Sequence, residues 1–292
     1  MKRRLSILFL LLACTTMFSQ SIYREEEHHP LPPKVPRMIV FAGDTITFER
    51  PDIYERMDRE LIAFTYSHTN SILMLKRSQR IFEQIVPILE MNDVPEDLKY
   101  LMAIESNLDP KALSSAGAAG LWQFMKTAAR ENGLIVDDEV DERYNIEKAT
   151  RAACKYIKKA YSRFGDWMSV CASYNGGQGG ILTKLEKQKQ KSAMDLWMVE
   201  ETSRYMYRVL VAKMFFEHPE QFGFQISKMD MYPSLKVKET VSVSGPVADL
   251  ADFAIEHGTS YKHLKEANLW LRSDKLVNKS GHTYSVIIPD ID

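Results

Sequence analysis

One carboxylate in this 292-residue chain sits where a carboxylate is costly. Between Val94 and Pro110, Leu98, Leu101, Met102 and Glu105 fall at i, i+3, i+4 and i+7, so Glu105 lies in line with an apolar stripe that faces a core. Burial disfavours the charged form, so such a glutamate is paired, led out to water at the stripe's edge, or protonated. A carboxyl that keeps its proton near neutral pH can serve as a general acid. The helix alone leaves the structural and the catalytic alternatives open. Further along, Asn175 offers an amide beside Tyr174, at the start of a glycine-rich run ending at Gly180. That run is no phosphate cradle: no Gly-Lys-Ser/Thr follows and no strand precedes it. It is either a flexible turn or backbone brought close to a ligand. Tyr205 shares a helical stripe with Val209, Ala212 and Phe216, where a tyrosine is ordinarily core with a tethered hydroxyl.

Other chemistries are poorly served. Basic and acidic residues number 38 and 39, a net charge of −1, which gives no grip on nucleic acid. No Cys/His cluster has metal-binding spacing. The acidic run Asp137, Asp138, Glu139, Asp141 and Glu142 lacks the glycine and final glutamate of a calcium loop and reads as a solvated connection. No metal or cofactor is expected.

The elements that must position these residues are helical. Ile53, Met57, Leu61 and Phe64 mark one helix, and Ile72, Leu75, Ile81, Phe82, Ile85, Val86 and Leu89 a second. Pro95, Glu96 and Asp97 suit the first turn of the Glu105 helix, and Pro110 stops it at Asp109. A loop of small residues up to Gly120 lets another surface approach its backbone. Gly120 to Met125 is expected to open a helix running to about Asn132. Further helices are expected from Asn145 to Phe164, from Trp167 through Tyr174, and from Glu201 to Phe216, with Lys184 to Lys191 as a charged surface stretch. Asp166 can cap the second of these. Beyond Tyr232 the pattern changes to strand (Leu235 to Val243), two short helices (Pro246 to Glu256 and Ser260 to Asn268) and strand (Tyr284 to Ile288), a separate small domain.

The N-terminus reads as an export signal, residues 1–21, with Lys2, Arg3 and Arg4 ahead of a short apolar run. Leu11-Leu12-Ala13-Cys14 resembles a lipobox that would leave a lipid on Cys14, attaching the protein to a membrane. Ordinary cleavage near Ser19 or Ser21 fits as well. Either route takes the mature protein to the cell envelope. Residues 22–50, with Pro30, Pro32, Pro33 and Pro36, are expected to be a linker. Cys154 and Cys171 lie in apolar helical surroundings and read as buried free thiols.

Four pieces in this order resemble the catalytic domain of lytic transglycosylases with the goose-type-lysozyme fold, in the membrane-bound D class. They are Glu105-Ser106, Gly120-Leu121-Trp122-Gln123, the run from Ala172 through Tyr174 and Asn175 to Gly177, and Glu201-Thr202 with Tyr205. Trp122 stands where methionine is commoner and offers a flat stacking surface. Ser173 and Gly176 replace alanines, which implies altered loop flexibility. Ser260 to Asn268 and Tyr284 to Pro289 resemble a LysM peptidoglycan-binding module, although Val-Ser-Gly-Pro stands where Gly-Asp-Thr is usual, so glycan binding by it is open. The resemblance implies a mainly α protein: a lysozyme-like all-helical catalytic domain (residues 51–230) followed by a small βααβ LysM-like domain (residues 235–290). It implies cleavage of the β-1,4 bond between N-acetylmuramic acid and N-acetylglucosamine in peptidoglycan, leaving a 1,6-anhydro end. Glu105 would be the single acid and base, with Ser106, Gln123, Tyr174, Asn175 and Tyr205 binding substrate, in a monomer on glycan strands in the periplasm. A hydrolytic muramidase and an inactive peptidoglycan-binding protein are the alternatives.

Overall fold

The computed structural model describes residues 31–279 and 281–291. The signal segment and Cys14 lie outside these. Ten α-helices and two small two-stranded antiparallel sheets are present among the described residues.

The first sheet corrects the expected linker. β1 (Met38–Phe41) and β2 (Asp44–Thr47) form a hairpin in which Phe41 faces Asp44. Ala42 and Gly43 make its turn at φ 52° and 91°, the two left-handed positions that a tight hairpin turn requires. Ile39, Phe41, Ile46 and Phe48 are buried and belong to the main core. The hairpin is pinned where the Glu105 helix begins: the Ala42 N–H donates to Asp97 at 2.7 Å.

Two long helices follow, α1 (Pro51–Tyr66) and α2 (His68–Met91). The Glu105 helix, α3 (Leu98–Ser106), is shorter than expected. Pro95 to Asp97 form a preceding turn, with the Leu98 N–H donating to the Pro95 carbonyl at 3.1 Å. It stops before Pro110 because Asn107 and Leu108 turn left-handed, at φ 50° and 55°. Each such residue costs about 1–2 kcal/mol. Arg77 Nη1 donates to the Asn107 carbonyl at 3.0 Å, and Leu108 is fully buried, which holds the turn. Leu98 and every position from Tyr100 to Ile104 are buried, so α3 is enclosed nearly all round rather than along one stripe.

Gly120 to Met125 is not helical. The Ala119 N–H donates to the Phe124 carbonyl and the Gln123 N–H to the Gly120 carbonyl, a tight turn with Gln123 at φ 48°. Only α4 (Lys126–Glu131) is regular helix there. α5 (Ile146–Phe164) and α6 (Trp167–Gly176) are capped by Asn145 and Asp166 side chains accepting backbone N–H groups. The glycine run is a helix junction. Gly177 breaks the chain at φ 78°, and α7 (Gln178–Gln188) takes in most of the expected surface stretch, burying Gln178, Ile181 and Leu185. α8 (Glu200–Glu217) packs on α1, α3 and α6 and so ties the body together. Cys154 and Cys171 are free and buried, and burial pushes the Cys154 thiol up to about 11.

The C-terminal module is β3 (Val237–Val243), α9 (Leu250–Glu256), α10 (Tyr261–Ala267) and β4 (Tyr284–Pro289), with β3 and β4 paired antiparallel. Its core of Val243, Leu250, Leu264, Trp270, Leu276, Val286 and Ile288 also takes in Ala119, Val140 and Tyr144 from the helical body.

Candidate active site

Glu105 occupies the last turn of α3, and α8 runs beside it. Tyr205 is buried on α8, and its hydroxyl donates to Glu105 Oε1 at 2.5 Å. Burial of the carboxyl raises the Glu105 pKa above its ordinary 4.5. The Tyr205 hydrogen bond and the positive Arg208 oppose that rise, and the negative Glu201 adds to it. Desolvation wins, so the carboxyl holds its proton to higher pH than a solvated glutamate. Burial, and then the Glu105 charge, push the Tyr205 and Tyr174 phenols well above their usual range, so both remain donors.

Tyr174 connects this pair to the neighbouring loop. Its hydroxyl donates to the Trp122 carbonyl at 2.7 Å, and its ring meets Tyr156 edge-on. Trp122 does not offer a stacking surface. It is fully buried, and its Nε1–H donates to Thr150 Oγ1 at 2.9 Å, so the indole anchors the loop on α5. Gln123 follows it, with Nε2 donating to the Gly120 carbonyl at 2.8 Å and to Ala112 at 3.3 Å.

Asn175 ends α6 against α8. Thr202 Oγ1 donates to Asn175 Oδ1 at 2.8 Å, and Asn175 Nδ2 donates to Glu201 at 3.4 Å. The glycine at 176 permits this approach: a methyl there would lie 3.1 Å from Thr202 Cγ2, tighter than ordinary contact. The small residue at 176 therefore serves this close packing against Thr202. Ser106 stands apart from this group. Its buried hydroxyl donates to the Met102 carbonyl of its own helix at 3.2 Å.

Sequence reasoning missed the residues that hold the loop in place. The run 137–142 is not simply a solvated connection. Asp141, Glu142 and Arg143 are buried, and Arg143 Nη1 donates to the Gly117 and Phe124 carbonyls. Glu142 accepts from the Ile135 N–H and pairs with Lys148. The one signal available was an arginine directly after the acidic run.

Two concavities lie elsewhere. One of about 330 Å³ is lined by Arg50, Trp197 and Tyr207. The other, of about 1080 Å³, follows the seam with the C-terminal module past Lys111, Lys148, His263 and Tyr284. Neither is lined by Glu105, whose distinction is chemical: a partly buried carboxyl on a single phenol. Among the described residues, no group of three or more His, Cys, Asp or Glu could hold a metal ion, and no helix is long and apolar enough to cross a membrane.

Residues 88–196 match the transglycosylase SLT domain, and residues 239–292 match the soluble lytic transglycosylase C-terminal LysM-like domain. The chain thus carries an SLT domain followed by a LysM-like domain. It is 28% identical over 259 residues to membrane-bound lytic murein transglycosylase D of Escherichia coli (strain K12), covering 85% of this chain and 55% of that protein. It is also 37% identical over 95 residues to the peptidoglycan transglycosylase of Escherichia phage T7, covering 32% of this chain and 7% of that protein. Among solved structures, the 70 kDa soluble lytic transglycosylase of Escherichia coli aligns with a TM-score of 0.41 at 16% identity, over 61% of this chain and 33% of that one. The chain spans about half the length of the lytic murein transglycosylase D that it matches.

Proposed function

We propose that this chain is a peptidoglycan lytic transglycosylase acting on glycan strands in the cell envelope, with Glu105 as its single acid and base. The observation that carries the reading is the partly buried Glu105 carboxyl, raised in pKa and bonded to the neutral Tyr205 hydroxyl. The SLT match and the likeness to a murein transglycosylase support peptidoglycan as the substrate class.

Protonated Glu105 gives its proton to O4 of N-acetylglucosamine as the β-1,4 bond to N-acetylmuramic acid breaks. Most glycosidases use a second carboxylate as nucleophile or base. Here Glu201, the carboxylate whose charge reaches Glu105, is exposed and accepts from Asn175, which fits a wall of the cleft better than a nucleophile. The acetamido oxygen of the muramic acid attacks C1 instead and forms an oxazolinium-like ring. Glu105, now a carboxylate, takes the proton of the C6 hydroxyl as that oxygen displaces the acetamido group, closing the 1,6-anhydro ring. The enzyme ends as it began, protonated at Glu105, and no water is consumed.

Tyr205 orients both the carboxyl and the acetamido group in this reading. Gln123 has committed its Nε2 to the loop and meets the sugar through Oε1. Tyr174 and Asn175 shape the wall more than they grip, because their polar atoms already hold Trp122, Glu201 and Thr202. Ser106 supports α3 through Met102 rather than touching sugar. The protein works as a monomer, held to the envelope either by a lipid on Cys14 or by its substrate.

Mass spectrometry of digested sacculi tests this. The expected products are anhydro-muropeptides, lighter by one water than products with reducing ends, and Glu105→Gln lowers their rate by about 10²–10⁴-fold with unchanged circular dichroism. Reducing-end products would replace this reading with a hydrolytic muramidase. Intact sacculi after incubation with folded protein would make it a binding protein.

A further inference from the structure

We infer that Arg143 is a positioning residue for the active-site loop, and that the C-terminal module keeps Arg143 in place from outside the site. The catalytic part of this inference rests on the reading of Glu105 given above, whereas its mechanical part does not.

The loop from Gly117 to Phe124 carries Gln123 and the Trp122 carbonyl that Tyr174 grips. It has little regular structure of its own, so its shape must be imposed. Arg143 imposes it from both ends. The guanidinium is buried, and its Nη1 donates to the Gly117 carbonyl at 2.7 Å and to the Phe124 carbonyl at 2.9 Å. Its other nitrogens grip Asp141 at 2.9 and 2.6 Å, a two-bond pairing that fixes the plane of the group. The backbone of Arg143 acts as well. A Cβ on Gly120 would fall 1.9 Å from the Arg143 carbonyl oxygen, so the loop and residue 143 are in direct backbone contact.

Residues 139–141 are in turn held by the C-terminal module. The Asp141 N–H donates to the Trp270 carbonyl at 2.9 Å, and the Arg272 N–H donates to the Glu139 carbonyl at 2.7 Å. The Glu139 carboxylate accepts from the Val277 and Asn278 N–H groups at 3.0 and 3.3 Å. Val140 is buried in the module's core, and the Arg272 guanidinium lies 4.4 Å from the Tyr144 ring centre. Residues 139–144 are therefore shared: one side completes the module and the other clamps the loop. A module that served only to capture glycan would need no such bonds. Here it braces the loop that carries Gln123.

Hydrogen–deuterium exchange on the full chain tests this without relying on turnover. In Arg143→Lys the charge remains, but one ammonium cannot reach both loop carbonyls and Asp141 together. The amides of Ala119, Gly120 and Gln123 are expected to exchange at least about tenfold faster, and kcat on sacculi to fall about tenfold with a smaller change in KM. Glu139→Ala removes the acceptor for Val277 and Asn278 and touches neither the loop nor Glu105. It is expected to speed exchange at 117–124 several-fold while amides of α1 keep their protection. Unchanged exchange at 117–124 in Arg143→Lys overturns the clamp. Faster exchange confined to 269–279 in Glu139→Ala overturns the coupling to the module. Faster loop exchange with kcat and KM both unchanged overturns the positioning role. Should the chain prove inactive on sacculi, the proposed function fails, and the exchange results still decide the brace.

Discussion

Glu105 and Asp141 are two carboxylates set into one body, and their partners differ. Asp141 faces a guanidinium through two short bonds, within a web of loop carbonyls and module amides. Glu105 faces a phenol, which donates a hydrogen bond but brings no charge. A charged partner binds a carboxylate firmly and leaves it little to do besides hold structure. A neutral donor leaves desolvation the larger effect, even with the Arg208 charge opposing it, so the carboxyl keeps its proton to higher pH than a solvated glutamate. The nature of the partner, more than burial alone, separates a carboxylate that braces the loop from one suited to give up a proton.

Removing one side of the charged pair should cost most. Asp141→Ala leaves a buried guanidinium unmatched and should lower stability by about 3–5 kcal/mol in urea unfolding. A loss below 1 kcal/mol, the range of exposed pairs, would place Asp141 with the surface ion pairs and dissolve the contrast.

At the neutral pair, Tyr205→Phe deletes one hydrogen bond to the ionised form of Glu105, worth about 1.5–3 kcal/mol, or roughly 10- to 150-fold in rate. Because that bond lowers the Glu105 pKa, its loss should raise it further. In the proposed mechanism Glu105 acts first as an acid, so the alkaline limb of the kcat/KM profile should move to higher pH. A limb that moves down or stays fixed would mean that Tyr205 does not tune this carboxyl.

The smallest effect concerns stability. The folded pKa of Glu105 lies above its unfolded value, so its favourable contribution is complete below about 4.5 and is lost as pH rises through the folded pKa. Glu105→Gln keeps an acceptor for the Tyr205 hydroxyl and cannot ionise. Its melting temperature should match the wild type at about pH 4 and exceed it by a few degrees at about pH 8. An equal difference at both pH values would show that desolvation does not govern the group.

The helix of Glu105 could be read from local signals, since its apolar spacing and the prolines at 95 and 110 bracket it. The small C-terminal module was equally visible, because alternation over Val237–Val243 and Tyr284–Pro289 encloses two capped helices. Gly120 to Met125 departs from the helix its sequence suggests for a physical reason. Leu, Trp, Gln and Phe after a glycine look like a helix start, while the turn they form is imposed by Arg143, far along the chain. An indole suits a sugar face, which suggests a stacking surface at Trp122, yet its ring is fully buried and its Nε1–H is held by Thr150 on α5. α7 was hidden by Gly179 and Gly180, each costing a helix about 1 kcal/mol, which the burial of Ile181 and Leu185 offsets. The hairpin did leave a trace, with Ile39 and Phe41 alternating ahead of Ala-Gly and Ile46 and Phe48 after it, but the neighbouring prolines drew the reading toward a linker.

That hairpin also sets a length. Had the folded body begun at residue 51, the thirteen residues from 38 to 50 could have extended to about 3.3 Å each, roughly 40 Å of slack. With Phe41 in the core and Ala42 fastened to Asp97, this slack does not exist. Residues 38–50 therefore add no reach between the helical body and the chain that precedes them, and residues inserted within the hairpin would have to be absorbed by the core rather than by a loose tether.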